Sequence, residues 1–115
     1  MIGGSFTSTS HTPLRKQSER SAARKVIVEH RVKCWPQFFN PILSGEKTHD
    51  LRRSNDRNFR VGDLLRLQEF DPKTNRYSGR ELKVRITYIT SADYPCALSE
   101  NALHPDFCIL SIRKL

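Results

Sequence analysis

Leu82-Lys83-Val84-Arg85-Ile86-Thr87-Tyr88-Ile89-Thr90 alternates apolar with polar side chains at period two. Successive side chains of an extended chain point to opposite faces. Leu82, Val84, Ile86 and Tyr88 therefore share a core-facing side, and Lys83, Arg85 and Thr87 share a basic outward one. The pattern predicts a half-buried strand. A single strand cannot bury its apolar face, so its neighbours in the chain should supply the rest of a sheet.

Upstream, Leu64 to Phe70 reads as another strand. Asp71-Pro72-Lys73-Thr74-Asn75-Arg76 carries turn chemistry and leads into Tyr77-Ser78-Gly79-Arg80, which predicts a hairpin with a generous loop. Downstream, 91–105 is irregular, with a helical turn expected around Ala97 to Leu103. Phe107 to Ile112 forms a last apolar strand, which Arg113 and Lys114 would finish as a charged edge. Near the start, Val26 to Val32 is rich in β-branched residues, with Val26, Val28, His30 and Val32 on one face. Trp35 to Leu43 then changes to helical spacing: Pro36 suits a first turn, Gly45 a C-terminal stop, and Pro41 keeps the helix short or kinked. Phe38, Phe39, Ile42 and Leu43 are expected as core anchors. Thr48 to Arg53 is short and extended, and with Leu51 taken as inward, Asp50 and Arg52 fall on the opposite face. Five to six short strands with one or two short helices predict an α+β, mainly β fold, a small mixed barrel whose closure removes unpaired edges.

The chain has 115 residues, the size of one domain, and a formal net charge of +8. Residues 1–25 hold five of the basic side chains and one acid, so half of the excess charge lies in a Ser-, Thr- and Gly-containing segment without apolar periodicity. Such a segment cannot offset its ordering entropy, which predicts a disordered basic arm over 1–24 and a domain over 25–115. The charge favours polyanionic partners. No apolar run approaches the roughly 18 residues of a membrane span and the start lacks a secretory apolar region, so a cytoplasmic protein without a membrane partner is expected. The arm's Arg and Ser content also fits an organelle transit peptide, against which its Gly, Pro and Thr interruptions weigh. Cys34, Cys96 and Cys108 are odd in number and form no CxxC pair, so no disulfide framework or zinc site is signalled and inert buried thiols are expected. His30 and His49 show no metal-ligand spacing.

The densest chemistry lies in Gly45-Glu46-Lys47-Thr48-His49-Asp50-Leu51-Arg52. An ammonium and a guanidinium beside a carboxylate that orients them suit phosphate or base-edge recognition, although a surface ion pair is the commoner use of such a pattern. This stretch resembles the GxKxxExR signature of ASCH domains, with Asp50 at the glutamate position. His30-Arg31-Val32-Lys33-Cys34-Trp35-Pro36, Asn55-Asp56-Arg57, Phe59-Arg60-Val61-Gly62-Asp63, Leu67-Gln68-Glu69-Phe70 and Tyr77-Ser78-Gly79-Arg80 extend the resemblance to a small bacterial and phage ASCH subfamily of undetermined function. The likeness covers Val26 to Leu115. It implies a PUA-like barrel and RNA, single-stranded or modified, as partner. Some relatives are amidohydrolases of acetylated cytidine that use a lysine, a threonine and a glutamate. Lys47 matches their lysine, but Asp50 stands where the threonine nucleophile would be and cannot replace its hydroxyl unchanged. Other relatives resemble ribonucleases.

Two functions follow as expectations. In a binding module, Lys47, Asp50, Arg52 and Arg57 face the nucleic acid while Lys33 and Trp35 form a cation and stacking platform for an unpaired base. In an enzyme, Lys47 with Asp50 or Glu69 would move protons or stabilise charge, with a divalent metal if the chemistry is nucleolytic and no other cofactor. Glu69, on a strand face with Leu65 and Leu67, must be paired or perturbed. A barrel that docks a protein instead of RNA is the third alternative.

Overall fold

A computed structural model describes residues 26–99 and 101–115. The expected arm over 1–24 lies outside them. The elements run β1 (Glu29–Cys34), α1 (Pro36–Ser44), β2 (His49–Arg53), β3 (Leu64–Asp71), β4 (Arg76–Ser91) and β5 (Phe107–Lys114). The strands form one sheet in the order β1-β3-β4-β5-β2, curled into a half-barrel, with β1 parallel to β3 and all other neighbours antiparallel. The mainly β, α+β barrel class expected from the sequence is the class observed. No described helix is long and apolar enough to cross a membrane.

The concave face holds the core. Leu65, Leu67, Val84, Ile86 and Leu110 are fully enclosed, joined by Val32 and Ile112 and covered at one end by Phe39 and Ile42 of α1. Burial of each such side chain contributes about 1.5–3 kcal/mol, which fixes which face of every strand turns inward. The alternation from Leu82 to Ile86 holds as read, but a bulge sets in between Ile86 and Tyr88, where two β4 steps oppose one on β5. Phase flips there: Ile89 is buried and Tyr88 is exposed, against the expected core register.

A second irregularity adds two residues to β4. Gln68 pairs with Glu81 and Phe70 with Tyr77, so four β4 steps oppose two on β3. Gly79 takes up the excess at φ 93, a left-handed conformation open to glycine. The Tyr77 to Arg80 segment and the Leu82 strand are thus one 16-residue element.

Helix α1 starts as read, with Trp35 as N-cap and Pro36 in the first turn, and Gly45 ends it at φ 89 while its N–H donates to the Ile42 carbonyl. Lys114 donates to the Leu43 carbonyl at 2.6 Å, placing a cation at the negative end of the helix. Only Phe39 and Ile42 are buried; Phe38 and Leu43 are exposed, in contrast to the expected four anchors. Other expectations also change. β1 starts at Glu29, leaving Val26 and Val28 exposed; Cys96 is exposed; and the described residues 97–99 and 101–103 carry turns and bends. β5 lies between β4 and β2, but its pairing with β2 stops at Ser111, so Arg113 and Lys114 pair with β4 alone.

The edges are β1 and β2. Side chains, not a ladder, span the seam between them: Arg52 donates to the Lys33 carbonyl at 2.7 Å and Arg57 to the Arg31 carbonyl at 3.0 Å. Two guanidiniums thereby occupy alternate carbonyls of the open β1 edge, groups that would otherwise recruit another strand. At the other end of β1, the Asp63 carboxylate accepts from His30 Nε2 at 2.8 Å and from the backbone N–H of Val28 and Arg60, which locks the 59–63 turn against the first strand. Asp63 is thus turn chemistry, as read, and also a buried acceptor.

Candidate nucleic-acid interface

Strand β2 has the opposite phase to the one expected. Asp50 is buried and Leu51 is 55% exposed. The reason is the ion pair: Arg52 Nε donates to Asp50 Oδ2 at 2.7 Å, and this pair can reach β1 only from the concave side. Asp50 and Arg52 share a face as predicted, but it is the inner one.

That face opens into a cleft of about 320 Å³ lined by Lys33, Cys34, Trp35, Phe38, Asp50, Leu51 and Arg52. Trp35 and Phe38, three residues apart at the start of α1, stack with ring centroids 6.2 Å apart and planes inclined by 23°. Both rings are about two-fifths exposed, at 44% and 43%. Lys47 sits beside them, its ammonium 5.9 Å from the Phe38 ring centroid while donating to the His49 carbonyl at 2.8 Å. The glycine stop makes this possible: after Gly45 reverses the chain, the Lys47 N–H returns to the Pro41 carbonyl and holds the side chain near the first turn of the helix. Lys33 caps the Phe70 ring at 4.3 Å.

Cys34 lies at the cleft floor. Burial pushes its thiol up to about 11, and the negative charges of Asp50 and Glu69 push the same way against Arg52 and Lys47. At neutral pH it is a protonated thiol and no nucleophile.

Glu69 stands opposite Cys34 in the β1–β3 register but is enclosed in a different corner. Arg80 grips both of its oxygens at 2.9 Å and Ser78 donates to it at 2.6 Å. These bonds, Arg80 first, hold its carboxyl down at about 2. Arg80 also donates to Asn40 Oδ1 and lies 4.8 Å from the Phe39 ring, so the corner fastens α1 to the sheet. The pairing expected for Glu69 is present. Its partners were not foreseen, because the two-residue excess of β4 is what brings both Ser78 and Arg80 opposite this one β3 residue.

Arg57 is placed elsewhere. It is paired with Asp56 at 3.0 Å and lines a second cavity beyond the seam. The outward face of Lys83 and Arg85 is not a basic stripe. Lys83 and Arg66 share Glu29, Arg66 and Gln68 share Glu81, and Arg85 donates to the Gly62 carbonyl. Among the described residues no three His, Cys, Asp or Glu side chains are grouped to hold a metal ion.

Residues 29–112, spanning every strand from β1 into β5, match the sequence profile of the family described as "Domain of unknown function (DUF3850)". The chain belongs to this family. It is also similar to a phage protein, described as "Uncharacterized 12.9 kDa protein in GpA 3'region" of Escherichia phage P2, with 36% identity over 61 residues. That match covers 53% of each chain, so it spans about half the length of this curated relative. The cleft and the Glu69 corner both lie within the DUF3850 region.

Proposed function

We propose that this DUF3850 domain binds single-stranded RNA through the Trp35 cleft. The observation that carries the reading is the exposed Trp35–Phe38 pair ringed by the cations Lys33, Lys47 and Arg52. Unpaired bases are held by stacking on aromatic faces while Lys and Arg neutralise the adjoining phosphates, and each base–aromatic stack is worth about 1–3 kcal/mol. The single buried acid of the cleft, Asp50, is occupied by Arg52 and aims that guanidinium, so the rim keeps a net positive charge. The likeness of Gly45 to Arg52 to the ASCH signature, together with the curled half-barrel, supports placement among PUA-like RNA-binding domains.

The arrangement favours binding over turnover. Glu69, held well below the usual carboxylate range by Arg80, has no proton to give at neutral pH and is too weak a base to take one efficiently. No hydroxyl stands in place of Asp50 to act as nucleophile. Incubation of the protein with labelled single-stranded RNA, with and without a divalent metal, scores retention and cleavage on one gel. Retention without products is the expected result; metal-dependent products would establish a nuclease instead, and neither retention nor products would remove RNA as the ligand.

A further inference from the structure

The outward face of the sheet divides into two halves of different electrostatic character. Toward β1 and β3, two acids answer two cations: Lys83 and Arg66 share Glu29, and Arg66 also reaches Glu81. Toward β5 and β2, the outward positions that alternate with buried Cys108, Leu110, Ile112 and Asp50 include Arg53 and Arg113 but no Asp or Glu. Arg85 of β4 stands directly opposite Arg113. Opposed residues of an antiparallel pair share a face with Cβ atoms about 4.5–5.5 Å apart, and like charges placed there destabilise the ladder. Neither arginine makes an ion pair among the described residues. Arg85 donates to the Gly62 carbonyl at 3.1 Å, which leaves its charge uncancelled, and no described group accepts a hydrogen bond from Arg113. Arg85 is half-buried and Arg113 exposed. The pairing of β5 with β2 stops at Ser111, so Arg113 has no second strand beside it. A local rule broken without compensation from the fold marks a functional position.

We propose that this outward face is a second nucleic-acid contact, on which Arg85 and Arg113 together clasp a phosphate in the backbone of base-paired RNA. A phosphate between two guanidiniums turns their repulsion into charge-assisted hydrogen bonds, and the donors left on both side chains suffice for its two free oxygens. No acid on these strand positions opposes the approach. Double-stranded RNA is recognised by its shape and through phosphate and 2′-hydroxyl contacts, so it needs no pocket for a splayed base. The Trp35 cleft opens from the inner face. The two contacts therefore meet different segments of one RNA, an unpaired base inside and a paired backbone outside. The choice of RNA as the polyanion rests on the reading above; the uncompensated arginine pair does not.

The test is anisotropy titration of the full chain with a labelled, blunt RNA duplex of about 16 base pairs at several salt concentrations. Arg113→Gln and Arg85→Gln should each weaken the duplex by about fivefold or more at low salt and lower the slope of log K against log salt by about one. Lys83→Gln removes the same charge from a side chain paired with Glu29, and should change affinity by less than about twofold. Trp35→Ala should leave duplex binding as in wild type. Thermal midpoints separate binding from folding: relief of the repulsion should raise that of Arg113→Gln by roughly 1–5 °C at low salt, a gain that vanishes in about 1 M salt. Wild-type duplex affinity in both arginine variants, an equal loss in Lys83→Gln, or a lowered midpoint of Arg113→Gln at low salt would overturn the proposal. So would a wild-type chain that retains single strands but no duplex, which would leave the Trp35 reading standing alone. Duplex binding without any single-strand retention would keep this face and remove the cleft.

Discussion

The Glu69 corner and the Trp35 cleft lie on either side of Cys34, and each contains an acid gripped by an arginine. In the corner, every strong group has its partner: Arg80 spans both Glu69 oxygens, Ser78 adds a third bond, and Asn40 takes a remaining N–H of Arg80. In the cleft, Arg52 satisfies Asp50 but leaves two aromatic side chains and Lys33 exposed, with half-buried Lys47 beside them. An ion pair by itself therefore says little about function. What separates structure from site is how much unsatisfied chemistry surrounds it.

The contrast breaks most readily in the core beneath the corner. Leu67→Ala removes a fully buried side chain beside Glu69 and should cost about 2–5 kcal/mol in denaturant unfolding, whereas Leu51→Ala at the cleft rim should change stability by less than about 0.5 kcal/mol. Equal losses would mean that the strand phase of β2 is wrong. Next in size, Trp35→Ala should weaken single-stranded RNA by about 1–3 kcal/mol, a factor of roughly 5–150, with an unchanged circular dichroism spectrum. Undiminished affinity would move the ligand away from this cleft.

The stability of the corner should respond to pH. The folded pKa of Glu69, about 2, lies below its ordinary value of 4.5, so its contribution is complete above pH 4.5 and is lost as pH falls through 2. Glu69→Gln should lower the thermal midpoint at pH 7 by on the order of 5 °C, a figure kept modest because Arg80 is half exposed, and the gap to wild type should close between pH 4.5 and 2. RNA affinity should stay as in wild type. A gap that persists at pH 2 would assign the loss to packing and not to charge. Smallest of all, Asp50→Asn keeps an acceptor for Arg52 and removes a negative charge near the phosphates; affinity measured by anisotropy should hold or rise by less than about threefold. A tenfold loss would make Asp50 a direct ligand contact.

Much of the fold was legible because burial imposes period two: Leu65, Leu67, Val84 and Ile86 turn inward as the alternation requires. The failures cluster where a local rule has two solutions. Phe38 with Ile42 and Phe39 with Ile42 both satisfy helical spacing, so sequence alone could not choose which aromatic faces the sheet and which joins Trp35. On β2, five residues with one apolar side chain invited the inward assignment of Leu51, yet the Asp50–Arg52–Lys33 chain outweighs a single leucine. The bulge of β4 at Ile86 changes phase without a matching break in hydrophobic alternation, which hid the exposure of Tyr88, and the two-residue excess, which keeps phase, left no trace in the pattern and hid the approach of both Ser78 and Arg80 to Glu69. Lys33, Trp35, Asp50 and Arg52 meet in one cleft with Lys47 at its side, whereas Glu69 and Arg57 belong to other surroundings.

Trp35 is the only tryptophan of the chain, so its fluorescence reports on the cleft alone. Titration with an unlabelled single-stranded RNA oligonucleotide should quench that emission saturably. The apparent Kd should rise with salt as phosphate contacts are screened, and should be at least fivefold weaker in Lys47→Ala. RNA that binds, as judged by anisotropy, while leaving Trp35 emission unchanged would contradict the assignment of the cleft as the nucleic-acid interface.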